Sequence, residues 1–194
     1  MAERWQIALG LTAAGIVAAT PLVYAAHRGT HFRNFRVVEE GVLYRSGQLT
    51  PTGLDRIVRE KGIRTIVSLR AARTLGREPP DLWEEEFCAA RGLRHVRIVP
   101  RVWSPNESGD IPAEQAVAEF LAVLDRPENH PVLVHCFAGV HRTGTMCAIF
   151  RMEYHRWPFD RAVNEMELYG FDPVDRREHI EPFLRAYKPR WKSD

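Results

Sequence analysis

Residues 131–144, PVLVHCFAGVHRTG, decide the fold that we predict for this chain. Pro131–His135 is a short run that is apolar up to its closing histidine, which is typical of a strand at the centre of a sheet covered on both faces. A loop with a glycine follows, and the next apolar run has helical spacing. The stretch therefore predicts a strand, a tight loop and a helix in direct succession.

The sequence around this stretch alternates strand and helix patterns. Arg36–Val38 and Val42–Tyr44 flank a Glu-Glu-Gly turn, which predicts a hairpin. Thr50-Pro51 predicts the start of a helix and Gly62 its end, because threonine caps a helix, proline fits its first turn and glycine stops it. Further strands are predicted at 63–69 and 95–99, and further helices at 81–91, at 111–124 and after residue 144. The pattern predicts an α/β fold in which helices flank a central, mostly parallel sheet of four to five strands.

The composition is that of an ordinary globular domain. Its 194 residues are 45% hydrophobic and 27% charged, which excludes a mainly disordered chain and a polytopic membrane protein. A net charge of +2 gives no overall attraction for nucleic acid, so no nucleic-acid partner is expected. Cys88, Cys136 and Cys147 include no CxxC pair, which argues against a disulfide framework and a structural zinc site. We expect no metal or other cofactor, and the oligomeric state stays open.

The N-terminal region differs from this average. Trp5–Ala26 holds 22 residues without a charged side chain, and a membrane-spanning helix needs about 20 apolar residues. Arg28, Arg33 and Arg36 follow, so the positive-inside rule places the next domain in the cytoplasm. We expect one N-terminal apolar helix that makes the chain a single-pass membrane protein. The alternative is a cleaved signal peptide and an exported domain.

The loop after the buried strand carries the candidate chemistry. Cys136 ends the strand, and five residues separate it from Arg142. Gly139 permits a turn in which successive backbone N–H groups point inward, and such a nest at a helix N-terminus binds anions. The planar guanidinium of Arg142 matches two phosphate oxygens. A thiol in such positive surroundings is favoured as the thiolate, which can attack a bound phosphoryl group and form a cysteinyl phosphate.

This segment resembles the HC-x5-R-[ST] signature of the cysteine-dependent protein tyrosine and dual-specificity phosphatases, and HCxxGxxRTG is matched at every fixed position. LYRSGQ at Leu43–Gln48 and the later Trp157 and Glu165-Met166 are similar to the compact branch of bacterial tyrosine-phosphatase-like and atypical dual-specificity enzymes. The resemblance implies a phosphotyrosine-phosphatase-like fold and hydrolysis of a phosphorylated protein or small phosphoester. The predicted units are residues 1–34 as a membrane anchor or signal segment with a basic flank, 35–188 as a phosphatase domain and 189–194 as a frayed tail.

The resemblance also implies a role for each residue of the loop. Cys136 is the expected nucleophile and Arg142 the phosphate clamp. Thr143 would steady the thiolate through its hydroxyl, while His135 would hold the loop by a hydrogen bond and help to keep the thiol ionised. The backbone N–H groups that bind substrate would come from Phe137, Ala138, Gly139, Val140, His141 and Arg142.

The general acid is where the match to the family is weakest. A leaving alkoxide or phenoxide needs a proton, usually from an aspartate on an upstream loop. Asp110 is the first candidate and Glu107 the second, in a loop that also contains Trp103 and Pro105. Asp110 has a competing interpretation as the N-cap of the next helix. A third possibility is that no side chain serves as the acid, which suits phosphoanhydride substrates.

Several functions therefore stay open beside a protein phosphatase of tyrosine or dual specificity. They are a catalytically weak phosphate-binding module and a phosphatase for inositol (pyro)phosphates or RNA 5′ phosphates. A rhodanese-type sulfurtransferase is disfavoured by the Arg142-Thr143-Gly144 ending. The loop contains no lysine, which slightly disfavours highly charged inositol lipids. Arg45 either lines the pocket or is a charge at the sheet edge.

Overall fold

Five strands form one sheet in the computed structural model, which describes residues 31–72, 77–172 and 179–192 together with residues 17, 19 and 20. The strands are β1 (Arg36–Glu39), β2 (Leu43–Ser46), β3 (Thr65–Ser68), β4 (Arg94–Arg97) and β5 (Val132–His135). The α-helices that the structure describes from end to end are α1 (Pro51–Lys61), α2 (Trp83–Ala89), α3 (Ala113–Leu124), α4 (His141–Tyr154), α5 (Phe159–Leu168) and α6 (Ile180–Ala186). Short 3-10 turns occupy Pro127–Asn129 and Arg190–Lys192.

The strand predicted to be central lies at the centre of the sheet. The order is β1-β2-β5-β3-β4, with β1 antiparallel to β2 and the other pairs parallel. All four residues of β5 are buried, which confirms the prediction from the apolar run. His135 is in register with Ser46 on β2 and with Ser68 on β3. The loops that follow these three parallel strands therefore meet at one edge of the sheet.

The local signals in the sequence act as predicted. Gly41 closes the β1–β2 hairpin with φ +75°, a left-handed conformation that glycine adopts without strain. The Thr50 hydroxyl accepts a hydrogen bond of 3.2 Å from the Gly53 N–H and so caps α1, which has Pro51 in its first turn. Gly62 ends that helix with φ +63°. These caps fix where the chain returns to the sheet.

Apolar layers cover both faces of the sheet because side chains alternate along each strand. Leu133 and Ile66 pack on one side with residues of α1 and α2. Val134 lies on the other side with Phe120 of α3 and Ile149 of α4. Each fully buried side chain of this kind contributes about 1.5–3 kcal/mol to stability. The sheet is thus a rigid platform for the loop that follows β5.

The predicted membrane anchor is wrong. Within the described residues, no helix combines the length and the apolarity that crossing a bilayer requires. The structure describes only Val17, Ala19 and Thr20 of Trp5–Ala26, so most of the predicted N-terminal apolar helix and the alternative cleavage site lie outside the described residues. A lack of charge is a weaker criterion than apolarity, since this run includes Gln6, Gly10, Thr12, Gly15, Thr20 and Pro21. The predicted transmembrane helix, membrane partner and single-pass localisation are therefore withdrawn.

The C-terminal residues that we expected to fray are attached to the domain as far as Lys192. Arg190 Nη1 lies 2.7 Å from Asp125 Oδ2, and the Trp191 indole donates to the Met152 carbonyl at 2.9 Å. The Asp125 partner lies far away in sequence, so local composition gave no sign of this attachment.

Candidate active site

Residues 136–142, called the cradle below, curl over the end of β5. Cys136 is buried at its base, and the Gly139 N–H donates to Cys136 Sγ at 3.2 Å. Gly139 has φ +75°, and a Cβ atom there would lie 2.6 Å from the Ser46 carbonyl oxygen. Only glycine allows this close approach, so the turn that brings the N–H to the sulfur depends on Gly139.

Four consecutive carbonyl groups of the cradle are held from outside by different parts of the chain. The contacts are His135 Nδ1 to Cys136 O at 3.4 Å, Gln48 N to Phe137 O at 2.9 Å, Asn34 Nδ2 to Ala138 O at 2.8 Å and Arg45 Nη2 to Gly139 O at 2.7 Å. In a trans peptide the N–H points opposite to the C=O. Outward carbonyls therefore turn the N–H groups of residues 137–140 inward, where they can bind an anion.

Arg45 lies beneath the cradle and neither lines an open pocket nor sits at the sheet edge. Its side chain is 1% exposed, and its guanidinium lies 5.0 Å from the centre of the Tyr169 ring. Nη1 has no hydrogen-bond partner, and among the described residues no carboxylate pairs with the group. A buried positive charge without a counterion interacts strongly with an anion nearby, because protein surroundings screen it less than water does.

His135 is fixed by a carboxylate that we did not predict. His135 Nε2 lies 2.8 Å from Glu84 Oε2, and both residues are buried. Burial raises the pKa of Glu84, but the charge and hydrogen bond of His135, with bonds from His95 and Gln48, outweigh this and lower it to about 2. His135 Nδ1 lies 3.4 Å from the Cys136 carbonyl oxygen, so Glu84 holds the imidazole ring against the start of the cradle.

The structure also places Thr143, Arg142 and His141, three other residues of the predicted site. The Thr143 hydroxyl is buried and has no hydrogen-bond partner among the described residues, so its expected contact with the thiol remains a prediction. Arg142 is half-buried, and no described carboxylate forms an ion pair with it. The His141 ring packs edge-on to Phe171, with centroids 5.7 Å apart.

Asp110 and Glu107 lie on an exposed loop. The Asp110 N–H donates to Asn106 Oδ1 at 2.8 Å, and its carboxylate accepts from the Ser108 hydroxyl at 2.9 Å. Pro112 occupies the N-cap position of α3 without a side-chain bond, so the capping interpretation of Asp110 is wrong. Within the described residues, neither carboxylate forms a hydrogen bond with the cradle.

A cluster of buried ligand-type side chains lies next to the cradle. Oxygen and nitrogen atoms of Asp81, Glu84 and His135 all lie within 4.8 Å of one another. Asp81 already pairs with Arg97 Nη1 at 2.7 Å and accepts from the Ser68 hydroxyl. Arg97 neutralises Asp81, and the Glu84 carboxylate already bonds to His135 and Gln48, so these ligand-type atoms are engaged by partners within the protein.

Sequence reasoning missed most of the supporting residues. Gln48 is the last residue of the LYRSGQ motif, so the sequence did single out this stretch as similar to the family. Glu84 lies in an acidic run that looks like a solvated helix face, and Asn34 precedes the first strand. Nothing in the local pattern of these two residues indicated that Glu84 contacts His135 or that Asn34 contacts Ala138.

Comparison with known proteins agrees with this geometry. A family model described as DSP-PTPase phosphatase fused to NAD+ kinase matches residues 23–181. The chain is 32% identical over 136 residues to the putative tyrosine-protein phosphatase OCA1 of Mycosarcoma maydis. This alignment covers 68% of this chain and 77% of that protein. It is 29% identical over 141 residues to the inositol diphosphatase DSP4 of Arabidopsis thaliana. That alignment covers 71% of this chain and 64% of that protein.

A solved structure shares the fold. The core catalytic domain of the PP-IP phosphatase SIW14 from S. cerevisiae matches with a TM-score of 0.62 at 20% identity, covering 81% of this chain and 87% of that chain. At this identity the match supports the fold alone, including the five-stranded, mostly parallel sheet with flanking helices. The family model, by contrast, matches most of the sequence. The chain therefore belongs to the cysteine-dependent dual-specificity and tyrosine phosphatase family and is a hydrolase.

Proposed function

We propose that this phosphatase hydrolyses a phosphomonoester, on a phosphotyrosine protein or with broader dual specificity, through a cysteinyl-phosphate intermediate on Cys136. The observation that carries the proposal is the set of four outward-held carbonyls, which turn successive N–H groups toward the space above the thiol. Arg142 would complete the site by binding two phosphate oxygens with its guanidinium. Both roles follow from the residues' places in the cradle.

The reaction has two steps. The Cys136 thiolate attacks phosphorus, a sulfur–phosphorus bond forms, and the bond to the leaving oxygen breaks as that oxygen takes a proton. Water then attacks the cysteinyl phosphate, which releases inorganic phosphate and regenerates the thiolate. In both steps the inward N–H groups and Arg142 stabilise negative charge on the three non-bridging oxygens. Asp110, with Glu107 as the second candidate, would supply the proton.

The test is hydrolysis of p-nitrophenyl phosphate by the full chain in the presence of a chelator. Cys136→Ser should abolish turnover while retaining the binding of vanadate or phosphate, since the N–H groups remain. Cys147→Ala is the matched control, because Cys147 is also buried and free but lies on α4 outside the cradle. Undiminished turnover by Cys136→Ser would refute the covalent mechanism. Phosphate binding without any turnover by the unmodified chain would favour a binding module.

A second candidate substrate class is the inositol diphosphates. Four relatives of the chain are named inositol diphosphatases, and Asp110 and Glu107 form no hydrogen bond to the described cradle residues. A phosphate leaving group needs little protonation, so a phosphoanhydride can be cleaved without a positioned acid. Turnover of an inositol diphosphate that exceeds turnover of a phosphotyrosine peptide in kcat/KM would favour this candidate.

A further inference from the structure

We propose that Asn34 is a positioning residue for the nucleophile, which it reaches through a single peptide group of the cradle. Its side-chain amide sets the direction of one backbone N–H, and that N–H stabilises negative charge on the Cys136 sulfur. The inference deepens the proposed function and rests on it for its catalytic meaning. The reactivity of the sulfur can be measured without any turnover.

The peptide group between Ala138 and Gly139 connects Asn34 to the sulfur. Its carbonyl accepts a hydrogen bond of 2.8 Å from Asn34 Nδ2, and its N–H donates to Cys136 Sγ at 3.2 Å. In a planar, trans peptide these two groups point in opposite directions. Of the four outward-held carbonyls, that of Ala138 therefore belongs to the peptide whose N–H reaches the nucleophile. A bond that holds this carbonyl outward also holds the N–H on the sulfur.

This peptide group needs an external support because of the glycine that follows it. Gly139 has φ +75°, and a glycine can adopt the conformations on either side of a peptide rotation. After a half turn, the Ala138 carbonyl oxygen would face the sulfur in place of the N–H. A hydrogen bond to a charged group favours the charged form, so this rotation would disfavour the thiolate. The bond from Asn34 opposes the rotation.

The chain on both sides of Asn34 is itself fixed. The Gly47 N–H donates to the Arg33 carbonyl at 2.7 Å, and the Phe35 ring stacks on Tyr44 with centroids 6.0 Å apart. Asn34 has φ +48°, a left-handed conformation that asparagine tolerates better than most residues do. This local turn directs the side-chain amide at the cradle.

The experiment measures how readily Cys136 ionises in the full chain with Asn34→Gly. Glycine accepts the left-handed conformation, so the substitution removes the amide and keeps the backbone. Iodoacetamide reacts with thiolates, and its rate at pH 6 divided by its rate at pH 9 cancels changes in access to the sulfur. We expect Asn34→Gly to lower this ratio by about twofold to tenfold, the range of one neutral hydrogen bond.

The other cysteines do not disturb this measurement. Burial raises the pKa of Cys88 to about 12 and that of Cys147 to about 11, so both stay protonated at pH 6 and pH 9. Mass spectrometry of peptides confirms that Cys136 carries the label.

Asn34→Gly leaves the other groups that act on the sulfur unchanged. They are the charged and titratable side chains of the cradle and of the elements packed against it, namely Arg45, Glu84, His135, His141, Arg142 and Cys147. A lower reactivity ratio in the variant therefore reports on the Gly139 N–H.

A second measurement separates this role from general support of the cradle. In the Cys136→Ser protein, Asn34→Gly should lower the affinity for inorganic phosphate by no more than about twofold, because the other inward N–H groups and Arg142 still bind the anion. The matched control is Arg156→Gly. Arg156 is also exposed and left-handed, with φ +55°, but it lies between α4 and α5. It should change neither the reactivity ratio nor the phosphate affinity.

Two results would overturn the proposal. An unchanged reactivity ratio would mean that the amide of Asn34 does not act on the sulfur. Equal losses in the reactivity ratio and in phosphate affinity would mean that Asn34 supports the whole loop. Failure of the parent chain to turn over p-nitrophenyl phosphate would instead refute the proposed function, and the reactivity ratio would still decide whether Asn34 acts on Cys136.

Discussion

The cradle and the upstream loop of residues 101–112 are built in opposite ways. Peptide groups of the cradle are fixed by residues from before β1, from the end of β2 and from the turn after it, and by the last residue of β5. The upstream loop is bonded largely to itself, through Asn106 and Ser108, and Asp110 is exposed. Preorganised donors stabilise charge only if they cannot move away, whereas a proton donor for varied leaving groups can sit on a more open segment.

Replacing the buried Arg45 guanidinium should show how strongly activity depends on the fixed cradle. Arg45→Met removes the clamp on the Gly139 carbonyl, so the Val140 N–H is no longer held inward. We expect kcat/KM for p-nitrophenyl phosphate to fall by about 10²–10³, as for the loss of one oxyanion donor. Stability should change little or rise, because a buried charge that no described carboxylate neutralises is costly. Activity assays and urea unfolding measure the two effects.

The matched control for Arg45 is Arg36→Met. The Arg36 guanidinium lies 4.9 Å from the centre of the same Tyr169 ring, but none of its described hydrogen bonds reaches the cradle. Its activity should stay within a few-fold of the parent protein. If both variants lost activity equally, packing on Tyr169 rather than the clamp on Gly139 would explain the effect.

The Glu84–His135 pair should make the cradle sensitive to acid. Folding lowers the pKa of Glu84 from its ordinary value of 4.5 to about 2, so its contribution is complete above about pH 4.5 and is lost as the pH falls toward 2. That contribution is on the order of 3 kcal/mol. Glu84→Gln should lower the free energy of unfolding at pH 7 by this order and flatten its decline in acid. Urea unfolding between pH 7 and pH 3 measures it.

Glu85→Gln serves as the control for Glu84. Glu85 is the neighbouring helix residue, and its carboxylate pairs with Arg97 while being 43% exposed. Partly exposed pairs contribute about 0–1 kcal/mol. An effect of Glu85→Gln as large as that of Glu84→Gln would mean that the helix, and not the buried contact with His135, responds to the lost charge.

The same contrast explains what the sequence could predict. The buried strand, the hairpin at Gly41 and the helix bounded by Thr50 and Gly62 were predictable because each signal is local: an apolar run, a turn residue or a cap. The supports of the cradle were not, since Asn34 lies 104 residues from Ala138 and Glu84 lies 51 residues from His135. Contacts of such separation depend on how the sheet aligns distant loops.

Removing the candidate general acid tests what the upstream loop contributes to catalysis. Asp110→Asn should lower kcat/KM for phenyl phosphate by about 10², the lower end for general acid catalysis. The loss for p-nitrophenyl phosphate should be smaller, because its leaving group needs less protonation. Glu107→Gln in the same loop is the control. A loss confined to Glu107→Gln would make that residue the acid, and no loss in either variant would mean that no side chain of this loop protonates the leaving group.

The smallest effect is expected at the residue that shapes this loop. The Asn106 side-chain oxygen Oδ1 accepts from the N–H groups of Ser108 and Asp110, both on the exposed surface. Asn106→Ala should therefore change the free energy of unfolding by no more than about 0.5 kcal/mol. It should still lower turnover of phenyl phosphate, though less than Asp110→Asn does, because the carboxylate remains but is held less well. A loss of stability above about 1 kcal/mol would show that the upstream loop is part of the rigid framework, and the contrast with the cradle would then fail.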